Sequence, residues 1–192
     1  MRDMKPDHLN AATPIFLVGF MGSGKSAVGE ALAARLSRPF IDLDKLIEAR
    51  SERTIADIIH SEGEERFRQI ETKMLQEVAH AAAAVIALGG GAIIRPDNRE
   101  LIEHAGVSVW LDAPFELCWQ RIQNDETVRP LAPTEAEGRV RYVQRLPLYQ
   151  QSTLRIEVNE AQPADEIVEQ ILRRLFTDDQ AQPGQNSENQ DG

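Results

Sequence analysis

Cysteine is all but missing: Cys118 is the one cysteine in 192 residues. An internal disulfide is therefore excluded, and the composition fits a reducing, cytoplasmic setting. Cys118 stands beside Trp119 in an apolar stretch of helical spacing, where it reads as core packing rather than a reactive thiol. Long apolar runs are missing too. No segment approaches the ~18 consecutive apolar residues that a membrane helix needs, and residues 1–8 lack the apolar centre of a secretory signal. Positive charge is in short supply, with 21 Lys and Arg against 31 Asp and Glu and a formal net charge of −10. An acidic body argues against general nucleic-acid binding, which depends on neutralising phosphates. A small anionic ligand is not excluded, because it needs only a local group of arginines.

What is present fits one globular domain. Hydrophobic residues make up 42% and charged residues 27%, enough for a real core. Residues 177–192 carry Asp178, Asp179, Glu188 and Asp191 without a Lys or Arg, among many Gln and Asn. They are expected to form a disordered acidic tail, and residues 1–13 a flexible N-terminal one. The domain is expected to occupy residues 14–176, as a monomer.

The most informative segment is Gly19-Phe20-Met21-Gly22-Ser23-Gly24-Lys25-Ser26. It follows the apolar run Ile15-Phe16-Leu17-Val18 and precedes the helical pattern Val28, Ala31, Leu32, Leu36. G-x-x-x-x-G-K-[ST] between a strand and a helix is a phosphate cradle. Its glycines let successive backbone N–H groups face an anion, and the following helix adds its positive N-terminal end. The expected nucleotide contacts are Gly22, Ser23, Gly24, Lys25, Ser26 and Ala27. Lys25 would reach the β- and γ-phosphates, and the Ser26 hydroxyl would hold Mg²⁺.

Five apolar runs are expected to be strands: 15–18, 40–43, 85–88, 107–111 and 154–158. The first four are nearly continuous, as strands buried on both faces should be, while the fifth alternates like an edge strand. Helical patterns fall at 26–37, 45–49, 54–61, 64–82, 96–104, 114–123, 136–150 and 164–176. Alternating strands and helices predict an α/β fold, a parallel five-stranded sheet covered on both faces. Residues 124–137, with Arg129, Pro130, Pro133 and Gly138 following, have little apolar content and read as a lid.

Phosphoryl transfer needs further parts besides the cradle. Asp42 and Asp44 follow the second strand, at the sheet edge where ligands bind in open α/β folds. One would serve the metal and the other a substrate hydroxyl; the alternative is a pair of helix-capping aspartates. Gly89-Gly90-Gly91 follow the third strand and would let a ligand approach the backbone, or simply make a turn. Arg68, Arg129 and Arg145 are candidate anion ligands, since Arg holds a carboxylate or phosphate through paired hydrogen bonds; from composition alone each reads as a solvated helix charge. Asp112, before Ala113-Pro114, resembles a metal-holding aspartate but is expected to cap the next helix.

Taken as an ordered set, these motifs resemble the shikimate kinases over residues 15–176. The parts that carry the resemblance are residues 19–26, Phe40-Ile41-Asp42-Leu43-Asp44, Glu62-Gly63-Glu64-Glu65-Arg66-Phe67-Arg68 with Glu71, Gly89-Gly90-Gly91, Arg129-Pro130-Leu131, and Arg145 with Tyr149. The resemblance implies a nucleoside-monophosphate-kinase-like P-loop fold of three α/β/α layers. It also implies transfer of the ATP γ-phosphate to the 3-hydroxyl of shikimate, with Mg²⁺. By residue, it implies that Asp44 binds ring hydroxyls and helps remove the acceptor proton. Arg68 and Arg145 would clamp the carboxylate, Gly90 and Gly91 would contact the ring, Phe67 would pack near it, and Glu71 would hold Arg68. Asp42 would join Ser26 at the metal, Arg129 would cover the phosphates, and Gln162 or Arg121 would lie near the adenine. The acidic tail has no counterpart in the family's common core. A gluconate or nucleotide kinase is the nearest rival reading, and a nucleotide-binding regulator without turnover is a more distant one.

Overall fold

The computed structural model describes residues 12–81, 83–125 and 131–177. Arg129, the centre of the expected lid and nearly all of both expected tails lie outside the described residues.

Five strands form one parallel sheet: β1 (Ile15–Val18), β2 (Phe40–Asp42), β3 (Val85–Ala87), β4 (Val107–Asp112) and β5 (Leu154–Glu157). Their order is β2-β3-β1-β4-β5. Ile15 aligns with Val85 on one side and Val107 on the other, so β1 is central and all four of its residues are buried. A strand with helices over both faces has no polar face to show, which is why β1, β3 and the heart of β4 read as unbroken apolar runs. β5 alternates as expected of an edge: Leu154 and Ile156 are buried, Arg155 and Glu157 exposed.

β2 departs from expectation. Its apolar run predicts burial on both faces, yet it is the other edge strand and its three residues are only half-buried. Helix α1 (Lys25–Leu36) covers it, and the absence of a side chain at Gly29 admits the Phe40 ring, which would lie 2.3 Å from a Cβ there.

The remaining helices are α2 (Leu43–Ser51), α3 (Ile55–Glu62), α4 (Glu64–Val78), α5 (Pro96–Ala105), α6 (Phe115–Gln123), α7 (Glu135–Tyr149) and α8 (Ala164–Leu172). Helix α4 stops at Val78, short of the predicted 82; the chain turns away there, with Ala83 in the left-handed region at φ 59° and its N–H donating to the Ala12 carbonyl at 2.7 Å rather than back along a helix. Helix α8 gives way after Leu172 to a π-helical turn, Arg173–Thr177. Helix α7 starts with a capping box: Thr134 accepts from the Glu137 N–H, and Glu137 accepts from the Thr134 N–H.

Strand order decides where chemistry can occur. β2, β3 and β1 are neighbours, so their carboxyl ends bring Asp42, Gly89 and the Gly19 loop to one edge. That edge is where open α/β sheets bind ligands.

Candidate active site

The loop from Gly19 into α1 is shaped by residues that must be glycine. Gly22 has φ +77°, and a Cβ there would sit 2.5 Å from the Cys118 carbonyl oxygen on α6. Lys25 Nζ donates to the carbonyls of Gly19 at 3.0 Å and Phe20 at 2.8 Å, curling over the loop it belongs to. Ser23 is buried within the loop, and Gly24 ends it as the N-cap of α1. Ser26 and Ala27 form the helix's first turn, where N–H groups lack intrahelical partners. Arg121 reaches this loop from α6, donating to the Gly22 carbonyl at 3.3 Å. Its place on α6 puts it beside the cradle.

Asp42 caps a helix, one of the alternatives weighed for it, and also contacts Ser26. Its Oδ1 accepts from the Lys45 N–H at 3.2 Å, capping α2, while its Oδ2 accepts from Ser26 Oγ at 2.7 Å. Asp44, in the first turn of α2, lines the same cavity as Asp42. Asp112 corrects an expectation. Helix α6 has Pro114 at its N-cap and no side-chain cap, and Asp112 instead accepts from Arg155 Nε at 2.7 Å. The partner comes from the parallel pairing of β4 with β5, which local sequence does not show.

The far end of the cavity is built by α4 and α7. Arg68 and Arg145 are 7% and 3% exposed, and Glu71 is fully buried. Arg68 Nη1 donates to Glu71 Oε2 at 2.8 Å and its Nη2 to Glu64 Oε1 at 3.2 Å. The guanidinium lies 4.9 Å from the Phe67 ring centre. Arg145 Nη1 donates to the Gly90 carbonyl at 3.1 Å, an oxygen that the Tyr149 hydroxyl also reaches at 2.5 Å. Sequence reasoning placed Tyr149 in the motif without a task; here it pins the glycine turn to α7.

Two atoms at this end stand out. Arg145 Nη2 and Glu71 Oε1 are buried and make no hydrogen bond among the described residues. Leaving a charged group unsatisfied costs more than leaving a neutral one, so such atoms mark where a ligand completes the set. The electrostatics agree. Burial pulls the Arg145 guanidinium below its ordinary pKa, and the neighbouring Arg68 and Arg141 act in the same direction. Burial likewise raises the Glu71 carboxyl to about 7; Arg68 opposes this and Asp44 reinforces it. For Arg68 burial also lowers the pKa, but Glu71 and Glu64 more than offset it. A carboxylate brought between Arg68 and Arg145 would relieve the crowding of cations.

A cavity of about 710 Å³ joins these ends. Gly22, Lys25, Asp42, Asp44, Phe67, Arg68, Glu71, Gly90, Gly91 and Arg145 line it. Gln162 does not: its Oε1 accepts from the Asn159 N–H at 3.3 Å, and its Nε2 donates to Glu166 Oε1 on α8 at 3.4 Å. The arrangement can hold a polyphosphate at one end and a hydroxylated anion at the other, with a carboxylate between them.

The family model described as shikimate kinase matches residues 21–176. The chain belongs to the shikimate kinase family. A shikimate kinase from Synechococcus sp. (strain JA-3-3Ab) is 38% identical over 172 residues, covering 88% of this chain and 90% of that one. The solved shikimate kinase from Acinetobacter baumannii, in complex with shikimate, superposes with a TM-score of 0.81 at 37% identity, covering 88% of this chain and 96% of its own. A gluconokinase from Sinorhizobium meliloti 1021 shares the fold, with a TM-score of 0.62 at 21% identity. The family's activity, ATP-dependent phosphorylation of shikimate, is this chain's activity.

The cofactor that such kinases generally use is Mg²⁺, and the residues fit it. The Ser26 hydroxyl and the Asp42 carboxylate are in contact and supply hard oxygen donors next to the phosphate cradle. Among the described residues no group of three or more His, Cys, Asp or Glu could cage a metal.

Proposed function

We propose that this cavity transfers the γ-phosphoryl group of ATP to the 3-hydroxyl of shikimate by direct in-line displacement. The observation that carries the acceptor assignment is the buried, unbonded Arg145 Nη2 beside the buried Arg68 guanidinium. Two arginines in that setting suit one carboxylate. They fix the acid end of the ring so that a ring hydroxyl faces Asp44. Asp44 orients that hydroxyl and takes its proton as the oxygen attacks the γ-phosphorus. The bond from the γ-phosphorus to the bridging oxygen breaks, and ADP leaves. Lys25 exchanges its two loop carbonyls for the β- and γ-phosphates. Ser26 and Asp42 would hold Mg²⁺, which when bound offsets charge on the phosphate oxygens. Positioning and charge compensation supply most of the catalysis in such transfers.

Several finer assignments belong to the same reading. Arg129 covers the phosphates and residues 124–137 form the lid, on the strength of the Arg129-Pro130-Leu131 motif. Residues 14–176 are the working domain, with residues 177–192 outside it. Gln162 is kept as an adenine-side residue only through its position in sequence. The protein works as a cytoplasmic monomer on ATP and shikimate, without nucleic acid or membrane; its lone buried cysteine and acidic charge support this.

The test is Mg²⁺-dependent ADP release with shikimate, gluconate or AMP supplied separately. Release with shikimate alone is expected. Release with AMP instead, which has no carboxylate, would overturn the carboxylate clamp while leaving the phosphate cradle in place, and release with gluconate instead would keep the clamp and overturn shikimate as the acceptor. In the same assay Asp44→Ala should abolish transfer and leave ATP binding intact, and equal loss of both would remove Asp44 as base and orienter.

A further inference from the structure

Helix α4 presents Glu64, Arg68 and Glu71 at i, i+4 and i+7, along one face. Across from it, α7 presents Arg141 and Arg145 one turn apart. Arg68 is therefore held from both sides, but by unequal partners. Glu71 is fully buried and bonds Nη1, whereas Glu64 has a side chain 37% exposed and bonds Nη2. The guanidinium as a whole faces the glycine turn, since a Cβ on Gly91 would lie 2.5 Å from Nη2 and 2.7 Å from Nη1 and Cζ, so it is the exposure of its partner Glu64 that makes the Nη2 edge the accessible one. A third arginine is within reach: Arg141 Nη2 lies 3.6 Å from Glu64 Oε2, an ion pair just beyond hydrogen-bonding distance.

We infer that Glu64 competes with the substrate carboxylate for the Nη2 edge of Arg68, and that Arg141 holds Glu64 once the substrate has displaced it. This rests on the clamp reading above. The exchange is possible at Glu64 and not at Glu71. Releasing a buried carboxylate from its hydrogen-bonded partner strands a charge, while a half-exposed one falls back on water and on Arg141. The bond at stake is also the longer of the two, 3.2 Å against 2.8 Å. Glu64 thus keeps Arg68 oriented and hydrogen-bonded, at the cost of weakening the acid's hold. Arg141 lowers that cost by giving Glu64 a second place to go. Both are positioning residues; neither reaches the reacting atoms.

The test is shikimate affinity by calorimetry, with KM and kcat, for Glu64→Gln, Arg141→Gln and the double variant. Partly exposed pairs are worth a fraction of a kcal/mol to about 1 kcal/mol, or about two- to fivefold in affinity. Glu64→Gln should tighten shikimate binding and lower KM by that factor, with a smaller change in kcat. Arg141→Gln should weaken binding by a similar factor alone and have no effect on the Glu64→Gln background. The methyl ester of shikimate, which lacks the charge, should bind equally to wild type and Glu64→Gln. Weaker shikimate binding by Glu64→Gln would show Glu64 to be a plain brace for Arg68 and would overturn the inference. An Arg141→Gln effect that persists in the double variant would overturn it as well. If Glu64→Gln did not fold, tighter or unchanged binding by Arg141→Gln alone would do the same. Failure of the wild type to bind shikimate would remove the clamp itself, a distinct result.

Discussion

Placing one methyl group on the glycine turn separates the two ends of the cavity. Gly91 has φ −111° and ψ −1°, which alanine adopts without strain, so the effect of Gly91→Ala is one of space. The new Cβ would lie 2.5 Å from Arg68 Nη2 and 2.7 Å from its Cζ and Nη1. Ordinary contact is about 3.5 Å, so the guanidinium must retreat by roughly 1 Å. Glu71 and Glu64 hold it in place, and it cannot retreat without loosening them. Losing one hydrogen bond to a charged group costs about 1.5–3 kcal/mol, which corresponds to about 10- to 150-fold. A displacement of about 1 Å at a positioning residue has effects of the same order. Steady-state kinetics with each substrate varied in turn should show KM for shikimate rising by that factor and KM for ATP nearly constant. Gly90→Ala is the internal control: its Cβ would press on the Met21 N–H side of the phosphate loop at 3.1 Å and not on Arg68. It should disturb ATP at least as much as shikimate. Unchanged KM for shikimate in Gly91→Ala, or equal rises for both substrates, would refute the placement of Arg68 against the turn.

Other perturbations follow from the same geometry. Glu71 has its folded pKa raised to about 7, so its contribution to stability is fully present below the ordinary carboxylate range and is lost as pH rises through 7. The melting temperature of Glu71→Gln relative to wild type should therefore climb between pH 5 and 8, by the equivalent of roughly 2 kcal/mol; a flat or falling difference would contradict the burial argument. Thr134→Ala removes the cap of α7 and should cost about 1 kcal/mol in denaturant unfolding, with little effect on KM; a large rise in KM would show that Arg145 depends on the cap. Asp42→Asn should raise the Mg²⁺ concentration needed for half-maximal rate about tenfold or more, and an unchanged requirement would free Asp42 from the metal.

Local signals were legible where one segment carries the whole meaning. The Gly19–Ser26 stretch combines glycine punctuation with an apolar run and a helical period, and it folds as those features predict. The alternation of Leu154 and Ile156 with Arg155 and Glu157 marked β5 as an edge for the same reason. What sequence could not show is which strands are neighbours. The run Phe40-Ile41 looks like a central strand, and only the order β2-β3-β1 makes it an edge. Asp112 looks locally like a cap for the residues that follow it, while its partner, Arg155, arrives from another strand. Arg121 depended on helical register to meet Gly22. For Arg68 and Arg145, motif resemblance brings together residues whose burial, and the open Nη2 of Arg145, only the packing of α4 and α7 reveals.

The run of three glycines after β3 follows from the sheet order. β3 lies between β2 and β1, so the chain leaving it passes between the aspartates on one side and the phosphate loop on the other. Each position then meets a different neighbour. At Gly89 a Cβ would come within 2.6 Å of Asp44 Oδ1 and 2.8 Å of Glu71 Oε1; at Gly90 it would meet the phosphate loop, and at Gly91 the Arg68 guanidinium. A side chain at the first would push apart the carboxylates, at the second would crowd the nucleotide's loop, and at the third would dislodge the acid's ligand. The Gly90 carbonyl is meanwhile fixed from α7 by Arg145 and Tyr149. With the substrates placed as proposed, this one backbone segment would set the distance between phosphate donor and hydroxyl acceptor, and a reaction that depends on alignment gains from fixing that point.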